Sequence, residues 1–177
     1  MGQRRRRSVI IELEPFEYAW ACHVGNQRFI ANWYNTDGNH YQHRTDNNTD
    51  DRRTADMAAA ICELAIAKAT NRYWAGHVWA REDHQKYRGR PDVGTNIEVR
   101  RSKNNQSVMV FKKDLNKNQI LFAAHPIPPE FRLVHVWGFL NCDEAWKLGE
   151  PSKFDPDNSR HVSKNLFQPI AERTPTK

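Results

Sequence analysis

The strongest structural signal in the sequence is a helix over 54–70, and it divides the chain into two differently patterned parts. Alanine, the best helix former, is frequent in this stretch, and Thr54 is placed to cap its N-terminus. The larger apolar residues recur at the three- and four-residue spacing of one helical face. They are Met57, Ile61 and Leu64, joined by Ala65. We expect this helix to end at Asn71.

The part before this helix is also predicted to be helical. A first helix is expected over 15–34, because Pro15 suits a first helical position and apolar residues follow at helical spacing. Gly25 and Asn26 are the points where it is most open to interruption. Residues 36–53 contain few apolar side chains and are predicted to form a long loop.

The part after Asn71 changes to short β-type segments bounded by turn residues. The predicted strands are 77–80, 91–93, 97–102, 108–112, 120–124 and 132–140, with a returning edge strand within 162–170. Because helices come first and strands follow, the order favours an α+β fold. We expect N-terminal helices followed by a mixed, largely antiparallel sheet.

Length and composition indicate one polar domain. The 177 residues match a single domain, which we assign to 14–177, with 1–13 as a basic N-terminal arm. The mean hydropathy is −0.87, and no stretch reaches the roughly 20 apolar residues that span a bilayer. The apolar run after Arg7 is too short and too acidic for a signal peptide. We therefore expect a cytoplasmic protein without a membrane partner.

The charge balance favours a polyanionic partner. The net charge is +6, and four of these charges come from the consecutive residues Arg4, Arg5, Arg6 and Arg7. A basic protein gains affinity for nucleic acid through the release of counterions. The alternative is that a short arginine run only aids solubility.

The segment 91–100 combines residue types that suit metal-assisted phosphate chemistry. Asp92 precedes a turn at Gly94, and Glu98 and Arg100 share one face of the next strand because side chains alternate. Two carboxylates are hard oxygen ligands for Mg²⁺, which activates water and neutralises charge on a phosphate. A nearby cation can stabilise the transition state.

Glu63, on the predicted 54–70 helix, is a further candidate acid. Its neighbours Ile61 and Leu64 place it near the buried edge, where an acid is costly unless it is paired or binds metal. Lys68 lies five positions later and is therefore not an ideal helical partner.

These residues, in this order, resemble the signature of the PD-(D/E)XK, or restriction-endonuclease-like, nucleases: an acid on an early helix, then Pro-Asp, then Glu-x-Lys on the next strand. The chain also resembles a group of small uncharacterised phage and metagenomic proteins over 15–32, 61–74, 92–100 and 131–138. The resemblance implies that Glu63, Asp92 and Glu98 bind metal or position water. It implies that Arg100 stands at the place of the lysine.

Two features depart from that signature. A guanidinium is always charged and binds phosphate as a fork instead of a point donor, so Lys112 or Lys113 is an alternative for the lysine's role. The superfamily also has a helix between its third and fourth core strands, whereas 113–131 shows turns and a short strand. We therefore expect a variant restriction-endonuclease-like core.

Cations surround the acidic pair and predict contacts with phosphates. Segment 81–103 holds seven Lys and Arg residues against four acids. The alternative interpretation is that this segment is an ordinary exposed loop. The six tryptophans fit core packing, with base stacking as the alternative. The predicted nucleic-acid-binding residues are Arg4, Arg5, Arg6, Arg7, Arg88, Arg90, Arg101, Lys103 and Lys112.

Together these features predict a Mg²⁺- or Mn²⁺-dependent phosphodiesterase of phage or prophage origin that acts on nucleic acid, DNA in preference to RNA. Glu63, Asp92 and Glu98 are its predicted metal-binding and catalytic acids, and Arg100 is the predicted contact to the scissile phosphate. The alternative is a non-catalytic module of the same fold that binds nucleic acid or a host protein, as a phage accessory or counter-defence factor. Catalysis requires the three acids within metal-ligand reach, whereas binding requires only the basic surface.

Overall fold

Two long helices lie at the N-terminal end of the computed structural model, which describes residues 8–33, 52–87, 89–115 and 117–170. The helices are α1 (Pro15–Trp33), α2 (Arg52–Thr70), α3 (His84–Tyr87) and α4 (Cys142–Leu148), and 3₁₀ turns lie at Arg81–Asp83, Lys112–Asp114 and Lys164–Leu166. Within these ranges, no helix is both long and apolar enough to cross a bilayer.

The strands of the described residues form two sheets. They are β1 (Val9–Glu12), β2 (Ile97–Arg101), β3 (Ser107–Phe111), β4 (Ile120–Pro126), β5 (Leu133–Asn141), β6 (Glu150–Pro151) and β7 (Ser159–Ser163). The first sheet has the order β1-β5-β4-β2 and is antiparallel except for the parallel pair of β2 and β4. The second sheet has the antiparallel order β3-β7-β6. The fold is α+β, as predicted, with one mixed and one antiparallel sheet.

Alternation along the first sheet separates two apolar cores. On β4, Phe122 and Ala124 belong to a cluster that includes residues of α1 and α2. Leu121 and Ala123 belong to a cluster that includes residues of β3, β7 and α4. Successive side chains of a strand point to opposite faces, so the first sheet lies between the helices and the second sheet.

Both long helices occur where the sequence predicts them, with two corrections. α1 starts at the predicted residue and continues through Gly25 and Asn26 without interruption. α2 starts at Arg52, so Thr54 lies inside its first turn and is not the N-cap, and α2 ends as predicted. The predicted loop over 36–53 lies outside the described residues, except for its last two residues, which are helical.

The strand predictions over 97–102, 108–112, 120–124 and 132–140 are confirmed as β2, β3, β4 and β5. The prediction over 77–80 is wrong, because these residues form no strand, and 91–93 contributes an isolated bridge at Val93. The returning strand is Ser159–Ser163, and it is hydrogen-bonded on both sides instead of lying at an edge. β1 falls inside 1–13, so part of the predicted arm is a strand of the first sheet.

The connection between the parallel strands β2 and β4 runs through the second sheet. The described residues of 102–119 form β3 and the turn Lys112–Asp114, with no α-helix among them. Over 113–131 the sequence predicts turns and a short strand, and β4 is that strand. Crossovers between parallel strands are usually helical. Here the connection from β2 to β4 passes through β3, a strand of the second sheet. The turn after β3 then lies beside β2.

The helices α1 and α2 touch backbone to backbone at Gly25. A Cβ atom at this position would lie 2.3 Å from the Cα of Met57. Glycine in a helix costs roughly 0.5–1 kcal/mol relative to alanine, so packing explains its presence here better than local preference.

Gly25→Ala is expected to destabilise the protein although alanine is the better helix former. The added methyl group must push α1 away from the backbone of α2, and overpacking of this kind costs about 1–3 kcal/mol. As a control, Ala19→Gly at an exposed position of α1 should cost about 1 kcal/mol, the difference in propensity. Urea unfolding followed by tryptophan fluorescence measures both; a stabilised Gly25→Ala protein would contradict the contact.

Candidate functional site

Asp92 lies at the open edge of β2, where a tight hairpin holds it. The amides of Asp92 and Val93 both donate to the carbonyl of Ile97, and Gly94 makes the turn with a φ of +59°. The Asp92 carboxylate accepts a hydrogen bond from the Val99 amide at 2.8 Å. Because β4 pairs with the other edge of β2, Asp92 caps a backbone donor that β4 leaves open.

Glu98 and Arg100 share one face of β2, as predicted. Ile97 and Val99 point to the opposite face and belong to the core beside the helices. The residues that pair in register with Glu98 and Arg100 on β4 belong to the other core. Glu98 and Arg100 therefore face the second sheet.

An ion-pair network joins Glu98, Arg100 and Asp114 on that face. Arg100 donates through Nη1 to Glu98 Oε1 at 2.5 Å and through Nη2 to Asp114 Oδ2 at 2.6 Å, and both acids are buried. Burial raises the pKa of Glu98, while the Arg100 charge lowers it. Arg100 Nε is buried without a hydrogen-bond partner among the described residues. A phosphate would have to compete with two carboxylates for this guanidinium.

Glu63 is paired on the helical side of the first sheet. Arg28, from α1, donates through Nη1 and Nη2 to the two oxygens of Glu63 at 2.6 and 2.8 Å. Trp74 Nε1 donates to Glu63 Oε2 at 2.9 Å. Only 5% of Glu63 is exposed, so the bidentate pair compensates the loss of hydration. Lys68, as its spacing suggests, pairs with Glu17 instead.

The three predicted acids interact electrostatically around Asp92. Burial raises the pKa of Asp92 well above its ordinary value, and the negative charges of Glu63 and Glu98 raise it further. The charge of Arg100 and the hydrogen bond from Val99 oppose this rise. Asp92 at the strand edge is therefore repelled by Glu63 from one side of β2 and by Glu98 from the other.

The three acids do not form a three-carboxylate metal site in this arrangement. Across the described ranges, no three Asp, Glu, His or Cys side chains lie close enough together to hold an ion. β2 lies between Glu63, on the helical side, and Glu98, on the side of the second sheet. Asp92 with one neighbouring acid still suits Mg²⁺, which is commonly held by one or two carboxylates with water completing its shell.

The predicted phosphate-binding cations are described only in part. Arg90, Lys103 and Lys112 are exposed, and Arg101 is half-buried. Five others lie outside the described residues: Arg4, Arg5, Arg6, Arg7 and Arg88.

Arg28, Trp74 and Asp114 are site residues that the sequence prediction missed. A signal for Arg28 was present, since it is the single Lys or Arg of 15–33. A lone cation on one helix and the buried acid Glu63 on the next indicate a pair. Asp114 had no comparable signal, because its contact with Arg100 depends on where the second sheet places the turn after β3.

Comparison of the chain with protein-family models, with curated proteins and with solved structures found no match. The resemblance to the restriction-endonuclease-like nucleases therefore rests on the residues themselves.

Arg28→Ala is expected to lower the free energy of unfolding by about 3–5 kcal/mol, because it leaves the buried Glu63 carboxylate without its cation. Lys68→Ala is the control, since it breaks the more exposed pair with Glu17 and should cost less than about 1 kcal/mol. Adding Glu63→Gln to Arg28→Ala should recover part of the loss. Equal costs for the two single variants in urea unfolding would argue against a stabilising role of the buried pair.

Asp92→Asn is expected to stabilise the protein more as the pH rises. The pKa of Asp92 is raised in the folded state. The stabilisation of the folded protein by Asp92 is therefore complete below the ordinary pKa of 3.8, and it is lost as the pH rises through the raised pKa. Asparagine stays neutral and can still accept the Val99 hydrogen bond. Unfolding of the variant, the wild type and the exposed control Asp157→Asn between pH 4 and 9 measures this. If the difference in the free energy of unfolding between Asp92→Asn and wild type does not change with pH, the prediction is wrong.

Proposed function

We propose that the protein is a divalent-metal-dependent phosphodiesterase that cleaves nucleic acid, with DNA preferred to RNA. The Val99 amide holds the Asp92 carboxylate at the open edge of β2. Glu63 lies on the helical side of this strand and Glu98 on the side of the second sheet, and the charges of both act on Asp92. This convergence on Asp92 is the observation that carries the proposal. The order of these acids resembles the restriction-endonuclease-like signature, with Arg100 at the place of the lysine, and we propose a variant of that core for the fold.

The charge of this region favours the binding of a cation. Four acids meet here, and they carry more charge than the two arginines that pair with them. The acids are Glu63, Asp92, Glu98 and Asp114, and the arginines are Arg28 and Arg100. The charge of Lys113 also acts on Glu98. A dication beside Asp92 would offset the remaining negative charge and would lower the pKa of Asp92, which burial raises first and the charges of Glu63 and Glu98 raise further.

The donor set fits Mg²⁺ or Mn²⁺, since both prefer carboxylate oxygens. Asp92 and Glu98 would hold the ion, and Glu63 would act on water from the helical side. When bound, the metal activates water and neutralises charge on the scissile phosphate. Arg100 fixes the position of Glu98 through its ion pair. The exposed Lys113, whose charge acts on Glu98, is available to a phosphate.

The proposal is tested by Mg²⁺- or Mn²⁺-dependent cleavage of linear, nicked, branched and single-stranded DNA and of RNA. Glu98→Gln and Asp92→Asn keep the side-chain shapes and remove the charges, so each should reduce cleavage by at least about 10- to 100-fold. Nucleic-acid binding should stay intact or strengthen, because a negative charge near the phosphate is removed. Glu144→Gln, at an exposed position on α4, is the matched control and should leave cleavage unchanged.

A second candidate is a non-catalytic module that binds nucleic acid or a host protein. It is favoured by the pairing of Glu63 with Arg28 and of Glu98 with Arg100, because paired acids are less available to a metal. Wild-type protein that cleaves no substrate with either metal, yet binds DNA with an affinity that falls steeply with salt, would establish this alternative over the first.

A further inference from the structure

Three aromatic rings form a column beside the acidic site. The rings of His77 and Trp79 lie 4.4 Å apart between centroids at 24°, and those of Trp79 and Tyr87 lie 4.2 Å apart at 21°. We call His77, Trp79 and Tyr87 the aromatic column. Arg90 lies 4.7 Å and Lys86 lies 5.0 Å from the centroid of the Tyr87 ring.

The aromatic column is not part of the hydrophobic core. None of its rings belongs to either core cluster, and all three are half-buried, while Lys86 and Arg90 are exposed. Core packing, which accounts for the buried Trp74 and Trp137, therefore does not account for Trp79. Stacked rings with exposed cations at one end match the chemistry of a nucleobase and its flanking phosphates.

The aromatic column is tied to the acidic site from both ends of its sequence. Arg28 Nε donates to the carbonyl of His77 at 2.7 Å, while the other nitrogens of the same guanidinium bind Glu63. At the far end, Arg90 is followed after one residue by Asp92. A nucleotide stacked on the column would thus have its backbone near the acids.

We propose that the aromatic column is a stacking subsite for an unpaired nucleobase, which makes single-stranded nucleic acid the substrate class of the acidic site. Trp79 already stacks on both His77 and Tyr87, so the base stacks on Tyr87, the ring beside the two exposed cations. Lys86 and Arg90, which lie over that ring, move to the flanking phosphates. The role in cleavage rests on the proposed function, whereas the binding itself does not.

Binding without metal tests the subsite separately from cleavage. Fluorescence anisotropy in EDTA compares a short oligothymidine with an abasic oligomer of the same length, which carries the same phosphates and no bases. Wild type should prefer the oligothymidine. Trp79→Ala and Tyr87→Leu should weaken its binding by about 5- to 150-fold and leave the abasic oligomer unaffected, while Tyr87→Phe keeps the ring and the preference.

Trp20→Ala is the matched control, because Trp20 is 55% exposed and stacks on His23 of its own helix. Equal wild-type affinity for both oligomers, or equal effects of Trp79→Ala and Trp20→Ala, overturns the subsite even if the protein cleaves DNA. A base preference that wild type shows and Trp79→Ala loses supports the subsite. If the wild-type protein also cleaves no nucleic acid, the subsite stands and the phosphodiesterase is refuted. If Trp79→Ala does not fold, the comparison of Tyr87→Leu with Tyr87→Phe decides.

Discussion

A carboxylate that leaves water costs several kcal/mol unless cations or hydrogen-bond donors replace its hydration, and this requirement governs the region around β2. Glu63 and Glu98 are both buried, and each is compensated by an arginine. Arg28 and Arg100 come from a helix and a strand. The pair of Arg28 with Glu63 joins the two long helices, and the bond from Arg100 to Asp114 joins the first sheet to the turn after β3.

The same compensation links the acidic site to the aromatic column. Arg28 binds Glu63 and the carbonyl of His77, and Trp74 binds Glu63 at the start of the same irregular segment. Residues 75–80 have no strand or helix to hold them, so these bonds fix their path. Arg28 would then position both the site for phosphate chemistry and the site for base stacking, and a substitution of Glu63 would disturb both sites.

Local pattern accounts for much of the fold and part of the site. Helical spacing predicted α1 and α2, and alternation predicted that Glu98 and Arg100 share a face, because both depend on neighbours within a few residues. The strand predicted over 77–80 failed for the opposite reason. Its aromatic and β-branched residues suit a strand, but a strand also needs a partner to pair with, and composition does not supply one.

Sequence pattern alone was enough to predict the two long helices, the α+β order and the turn that places Asp92 beside β2. The sides of the sheet on which Glu63 and Glu98 lie depend on the tertiary structure. So do the pairing of Arg28 with Glu63 and the pairing of Asp114 with Arg100. The physical reason is that these partners are 14 to 35 residues apart in sequence, so their distances depend on packing. The backbone contact at Gly25 and the crossing of the chain through the second sheet set that packing.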